Sequence, residues 1–205
     1  EDIGASFLYE LDTDKSHPNT RKAGVATRVL GNDGARSFTL EPGKTITVAT
    51  AVMTDLDVQG KDPLAEARSM VAALRPDQIA KYNAAHREWW RNFWSKSSIE
   101  IPDKVIEQHW YSALYIMASC SRGGKVGPGL YGSWLTVDKP GWCGDFHLNY
   151  NFQAPYYGLY AANHPETTLP FYDALNQQIE NGRRIAAKRG WKGIELTTGI
   201  GPWGI

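Results

Sequence analysis

The sequence predicts an α+β multidomain fragment, in which the closing strands of a β-sandwich give way near residue 60 to a helical array. Three observations carry this. Val25, Thr27 and Val29 alternate with Ala26 and Arg28 at the period of a strand, and the run stops at Gly31-Asn32-Asp33-Gly34, which is turn chemistry. Further on, Ile79, Tyr82, His86, Trp89 and Phe93 recur at spacings of three and four, the period of one helix face. The strands are too few to make a stable sheet alone. The 205 residues begin without Met, as a mature, processed product or an excerpt of a longer polypeptide would, and they stop at Gly201-Pro202-Trp203-Gly204-Ile205 like an interrupted loop, which favours the excerpt.

After the first strand a second pair is expected. Residues 37–40 run into Pro42-Gly43, where Pro sets φ at the second turn position and Gly supplies φ > 0 at the third, a type II turn. Ile46, Val48 and Val52 then point to one side, and Thr45 and Thr47 to the other. From Asp62 the pattern turns helical, with Asp62 as N-cap and Pro63 at the first helical position. The next helix starts near Asp77, and its apolar seam calls for burial; the chain leaves it at residues 95–98, and Ile99 and Ile101 are extended ahead of Pro102. Asp103 caps a third helix with Ile106, His109 or Trp110, Ala113, Leu114 and Met117 as its inward stripe, ending near Arg122-Gly123-Gly124. Two more helices follow, one beginning within residues 152–155 and one running from Pro165 to about Lys188. His86 and His109 lie on apolar helical faces and read as core residues. Asn163 or His164 precedes the last helix, with Glu166 favoured by its positive end.

Composition narrows the function. With 22 basic and 22 acidic residues and no cationic cluster, the chain lacks a phosphate-tracking surface, and nucleic acid is excluded as the expected partner. No apolar run reaches the roughly 20 residues of a membrane span. Cys120 and Cys143 form neither a disulfide framework nor a metal-ligand spacing, so no metal or cofactor is expected. Eight Trp and ten Tyr are many for this length. Most belong to the core, but such rings also stack on the apolar faces of sugars.

Chemistry concentrates in residues 142–153. Before them, residues 123–142 form a Gly- and Pro-rich loop carrying Tyr131, Trp134 and Trp142, and a loop of about twenty residues is usually functional in a compact domain. Asp145, His147, Asn149, Asn151 and Gln153 then alternate with Phe146, Leu148, Tyr150 and Phe152. An extended chain would present all five polar groups on one wall. A carboxylate, an imidazole and three amides suit the many hydroxyls of a sugar, each both donor and acceptor; phosphate would call for Lys, Arg or a helix N-terminus. The plainer alternative is an edge strand with a solvated face and Asn151 as a helix cap.

The runs Tyr131-Gly132-Ser133-Trp134, then Trp142-Cys143-Gly144-Asp145-Phe146-His147-Leu148-Asn149-Tyr150-Asn151-Phe152-Gln153, then Ala162-Asn163-His164-Pro165-Glu166, resemble the corresponding stretch of family 95 glycoside hydrolases. His86-Arg87-Glu88-Trp89-Trp90 with Phe93-Trp94 resembles the linker helix of that group, and Phe38-Thr39-Leu40-Glu41-Pro42-Gly43 its last sandwich strands. The resemblance spans residues 25–170 or so. It implies the end of an N-terminal β-sandwich at 1–60, a helical linker at 61–101, and at 102–205 the first part of an (α/α)6-barrel catalytic domain. It also implies an inverting, exo-acting hydrolase of a nonreducing-end sugar, periplasmic or secreted. Asn149 and Asn151 match the asparagines that hold the attacking water in that family; His147 matches a substrate contact, and Trp142, Asp145, Gln153 and Trp134 complete the expected sugar site. Ala154-Pro155-Tyr156-Tyr157 departs from the Met-Asn-Tyr-Trp usual in the family's fucosidases.

An inverting glycosidase needs an acid and a base about 6.5–9.5 Å apart. Twelve barrel helices need more chain than this, so both are expected beyond Ile205, with Asp138, Asp145 and Glu195 as hydroxyl-binding or structural carboxylates. A noncatalytic carbohydrate-binding protein on the same fold, and a helical scaffold without ligand, are the competing readings.

Overall fold

The computed structural model describes residues 3–11, 21–31, 37, 39–137 and 139–201, in two compact units, Glu1–Glu88 and Trp89–Ile205. The chain is α+β. In the first unit, β1 (Ile3–Leu11), β2 (Arg21–Leu30) and β3 (Thr47–Thr54) form an antiparallel sheet in that order. The expected strands around Val25 and Val48 are both there. The expected strand at 37–40 is not: Ser37, Thr39 and Leu40 have no regular structure. Phe38 and the Asn32-Asp33-Gly34 part of the expected turn lie outside the described residues. The turn at Pro42-Gly43 is present, with Gly43 at φ 78° and the Lys44 N–H donating to the Glu41 carbonyl at 3.1 Å.

Register decides which face is covered. Val25↔Val52, Thr27↔Thr50 and Val29↔Val48 pair on one side, Ala26↔Ala51 on the other. The alanine side is packed by a helix: Ala26 and Ala51 form a small core with Ala67 and Val71 of α2 (Pro63–Ala73), following the short α1 (Asp55–Val58). Small residues allow close approach. A Cβ on Gly24 would fall 2.3 Å from the Leu64 nitrogen, so any larger residue there would push the helix off the sheet. Asp62 caps α2 as expected, accepting from Leu64 N–H at 2.9 Å. At the other end the Arg28 guanidinium donates to the carbonyls of Val71, Ala72 and Leu74 at 3.3, 2.9 and 3.2 Å, satisfying acceptors that helix geometry leaves open.

Helix α3 (Pro76–Trp94) runs across the division between the units. Its seam is buried only at one end: Phe93 is buried and Trp89 half-buried, whereas Tyr82 is 62% exposed and His86 is exposed. Periodicity defines a face but not what covers it. His109 is also exposed, so neither histidine is a core residue here.

In the second unit, α4 (Lys104–Cys120) starts at Asp103, whose Oδ1 accepts from Val105 and Ile106 N–H at 3.0 and 3.2 Å. Its buried face is Leu114, Met117 and Ala118; Ile106 is 57% exposed and Ala113 exposed, so the inward stripe occupies only the C-terminal half of the helix. Helices α5 (Ala154–Ala161) and α6 (Leu169–Lys188) stand where the sequence put them, joined through a 3-10 turn at Pro165–Thr168. His164 is fully buried, its ring stacked on Phe93 at 3.8 Å between centroids, with Ser97 Oγ and Glu166 Oε1 each 3.4 Å from a ring nitrogen. Asn163, rather than capping the turn, donates to the Lys96 carbonyl at 3.2 Å. Burial alone would raise the Glu166 carboxyl, but hydrogen bonds from Lys96, a backbone N–H and His164 outweigh it and hold the group below the ordinary carboxylate range.

Candidate functional site

The loop from residue 123 closes on a 3-10 turn, Gly141–Gly144, in which Trp142, Cys143 and Gly144 take φ of 50°, 56° and 66°. Left-handed backbone costs about 1–2 kcal/mol at each non-glycine residue. Such strain persists where the surroundings over-determine it, and it clusters at sites of function. The turn sends residues 145–148 along residues 198–200: Phe146 N–H donates to the Ile200 carbonyl at 3.1 Å and Leu148 N–H to Thr198 at 2.6 Å, while Leu130 N–H donates to the Asp145 carbonyl at 2.9 Å.

The predicted extended strand ends at this point. From residue 148 the chain turns, with Phe152 N–H donating to His147 O at 3.0 Å and Ala154 N–H to Tyr150 O at 2.9 Å, and so enters α5. The reason is in the apolar partners. Phe146 and Phe152 are both buried and stack at 4.5 Å and 9°, a pairing reached by folding the segment back rather than by running it straight. Tyr150, which the alternation would bury, is 64% exposed.

The polar groups are accordingly divided. Asp145, His147 and Trp142 come together: the Trp142 indole stacks on the His147 imidazole at 4.7 Å and 14°, and His147 Nδ1 lies 3.2 and 3.3 Å from the two Asp145 oxygens. With Gly199, Ile200 and Gly201 they line an open depression of about 550 Å³. Asn151 and Trp134 instead line a second hollow, of about 270 Å³, with Tyr131, Cys120, Phe152 and Tyr156. Asn149 is exposed. Gln153 is a strut, its amide N–H donating to the Leu148 carbonyl inside the turn, and its Oε1 is buried with no partner among the described residues. A single five-residue wall is therefore not formed. Of the other carboxylates, Glu195 is paired with Arg189 at 2.9 Å, and Asp138 lies outside the described residues.

Residues 198–200 and Tyr156 belong to the site without having been expected there. A Cβ on Gly199 would lie 2.6 Å from Asp145 Oδ2, so glycine is required for the carboxylate to sit where it does. The signal was the small, Gly-rich run Thr197-Thr198-Gly199-Ile200-Gly201, which permits backbone approach. Burial pushes the Tyr156 phenol up to about 12, against a hydrogen bond from Ser121 that lowers it. Burial likewise raises the Cys120 thiol.

Comparison with known proteins places this segment in context. Residues 96–205 match the family model described as the glycosyl hydrolase family 95 catalytic domain. Among curated relatives, the chain is 22% identical over 168 residues to probable alpha-fucosidase A of Aspergillus oryzae, covering 67% of this chain and 23% of that protein. It is 35% identical over 82 residues to alpha-L-fucosidase 2 of Arabidopsis thaliana, covering 40% of this chain and 10% of the relative. For probable alpha-fucosidase A of Aspergillus niger the figures are 34% over 58 residues, 28% and 7%. The aligned stretches thus span less than a quarter of these relatives' own lengths. The family match takes in more than half of the chain and all of residues 142–153, and the chain belongs to glycosyl hydrolase family 95.

Proposed function

We propose that the protein containing this chain is an exo-acting, inverting glycoside hydrolase of a nonreducing-end sugar, for which an α-L-fucoside is the first substrate to try. The observation that carries the proposal is that the family 95 catalytic-domain match includes the whole segment from the strained Trp142 turn to Gln153. The relatives named above as alpha-fucosidases direct the choice of sugar. Trp142 offers an exposed indole face beside His147 and Asp145, the mixture of apolar surface and hydrogen-bonding groups that a pyranose needs. In this reading Trp142, Asp145, His147, Trp134 and Gln153 serve the sugar site, Gln153 by holding the turn, and exposed Asn149 and Asn151 position the attacking water. The general acid and base are proposed to lie outside residues 1–205; Asp145 and Glu195 are already engaged with His147 and Arg189.

Residues 1–60 are proposed as the end of a β-sandwich, 61–101 as a helical linker and 102–205 as the first part of an (α/α)6 barrel. Val48 and Val52, 56% and 62% exposed on a β-branched sheet face, call for a second layer. Val105, Ile106, Tyr115 and Ile116 on α4, each 44% exposed or more, call for further helices. A periplasmic or secreted location goes with polysaccharide breakdown; no helix among the described residues is long and apolar enough to cross a membrane.

The test is to offer the full polypeptide a panel of aryl glycosides and follow the first-formed sugar by proton NMR. Cleavage of an α-L-fucoside with β-L-fucose appearing first supports the proposal. Tight sugar binding without cleavage of any glycoside would replace it with the noncatalytic alternative.

A further inference from the structure

Asp145 and His147 lie two residues apart on an extended stretch, so their side chains leave the backbone on one side. His147 Nδ1 is 3.2 Å from Asp145 Oδ1 and 3.3 Å from Oδ2, and the His147 backbone N–H donates to Oδ1 at 3.1 Å. An ionised carboxylate only accepts, so the imidazole must carry a proton on Nδ1 to make this contact. The backbone that carries the carboxylate is held as well. Gly199 stands against Oδ2, Asp145 N–H donates to the Trp142 carbonyl at 3.1 Å, and the Asp145 carbonyl accepts from Leu130 N–H at 2.9 Å. Trp142 packs one face of the imidazole, and the two side chains keep only 17% (His147) and 21% (Asp145) of their surface exposed, which limits competition from water. Among the described residues Nε2 has no hydrogen-bond partner.

We infer that Asp145 is a positioning residue that acts through His147: it fixes the Nδ1–H tautomer and the ring plane, so that in the neutral ring Nε2 faces the substrate as a hydrogen-bond acceptor for a sugar hydroxyl. Which imidazole nitrogen holds the proton is set by the bond the other makes. Without the carboxylate the ring is free to carry its proton on Nε2, and the acceptor becomes a donor. This rests on the carbohydrate reading above and assigns Asp145 an indirect part in it, in place of direct contact with the sugar. Asp145→Asn is the informative change, because an amide of the same shape offers Nδ1 either a carbonyl oxygen or an NH2 and so no longer selects a tautomer.

The experiment uses the full polypeptide and has two arms. In the first, KM and kcat for the aryl glycoside it cleaves best are measured for wild type, Asp145→Asn, His147→Ala and the double variant. The expected result is a KM about tenfold higher for Asp145→Asn, the worth of one good hydrogen bond, with kcat little changed. In the His147→Ala background the same change alters KM by less than about twofold, because the partner it acts through is gone. Equal losses in both backgrounds overturn the inference. In the second arm, two-bond 1H–15N spectra of histidine-labelled protein read the tautomer directly: His147 protonated on Nδ1 in wild type, and a mixture in Asp145→Asn. A wild-type His147 with its proton on Nε2 overturns the inference without any need for turnover. A polypeptide that cleaves no glycoside defeats the proposed hydrolase alone, and the spectrum still decides this one.

Discussion

Single atoms set this site. Gly199→Ala would place a methyl 2.6 Å from Asp145 Oδ2, and since that carboxylate also accepts from the His147 N–H and faces its Nδ1, the segment 198–200 has to move away. A loss of about 1–3 kcal/mol in denaturant unfolding is expected, the usual range for forced overpacking. Tyr156 gives a pH signature. Its phenol is raised by burial from 10 to about 12, so the folded state holds this proton more tightly than the unfolded chain does. The stabilisation is complete below pH 10 and is lost as pH rises through 12, amounting to about 3 kcal/mol, which Tyr156→Phe should abolish in a stability-against-pH titration. At this scale the sequence was legible where chemistry is local: Asp62 and Asp103 cap the helices they precede. Gly199 and Gln153 were not, because their parts depend on which distant backbone passes them.

Helix starts and ends were the most legible elements, since caps and Pro positions act within one turn. Asp103→Ala removes the acceptor for two N–H groups of α4 and is expected to cost about 1 kcal/mol, read as a lower midpoint in thermal or denaturant unfolding. Alternation was less reliable. The same period of two describes β3, which is a strand, and residues 145–153, which are extended only as far as Leu148 and then fold back so that Phe152 can meet Phe146. Strand β1, Ile3–Leu11, went unread because its pairing partner, not a turn signal of its own, defines it.

For the whole molecule, the apolar side of the sheet around Val48 and Val52 and the exposed apolar residues of α4 are surfaces that water leaves poorly satisfied. Residues 1–205 expressed alone should therefore self-associate in light scattering and show no glycosidase activity, whereas the full polypeptide should be monodisperse and active. Family membership was legible from the run between Trp142 and Gln153; the splitting of its polar groups between two hollows was not, because it follows from packing around Phe146 and Phe152. Asn149 and Asn151 are both exposed, so replacing them should cost little stability. That makes the Asn149→Ala, Asn151→Ala double variant of the full polypeptide the most direct test of the hydrolase mechanism. With both water-holding amides gone, kcat/KM for an aryl α-L-fucoside is expected to fall at least about a hundredfold while the melting temperature stays within about 2 °C of wild type. Activity that survives the double substitution, or that declines only in step with stability, would contradict that mechanism.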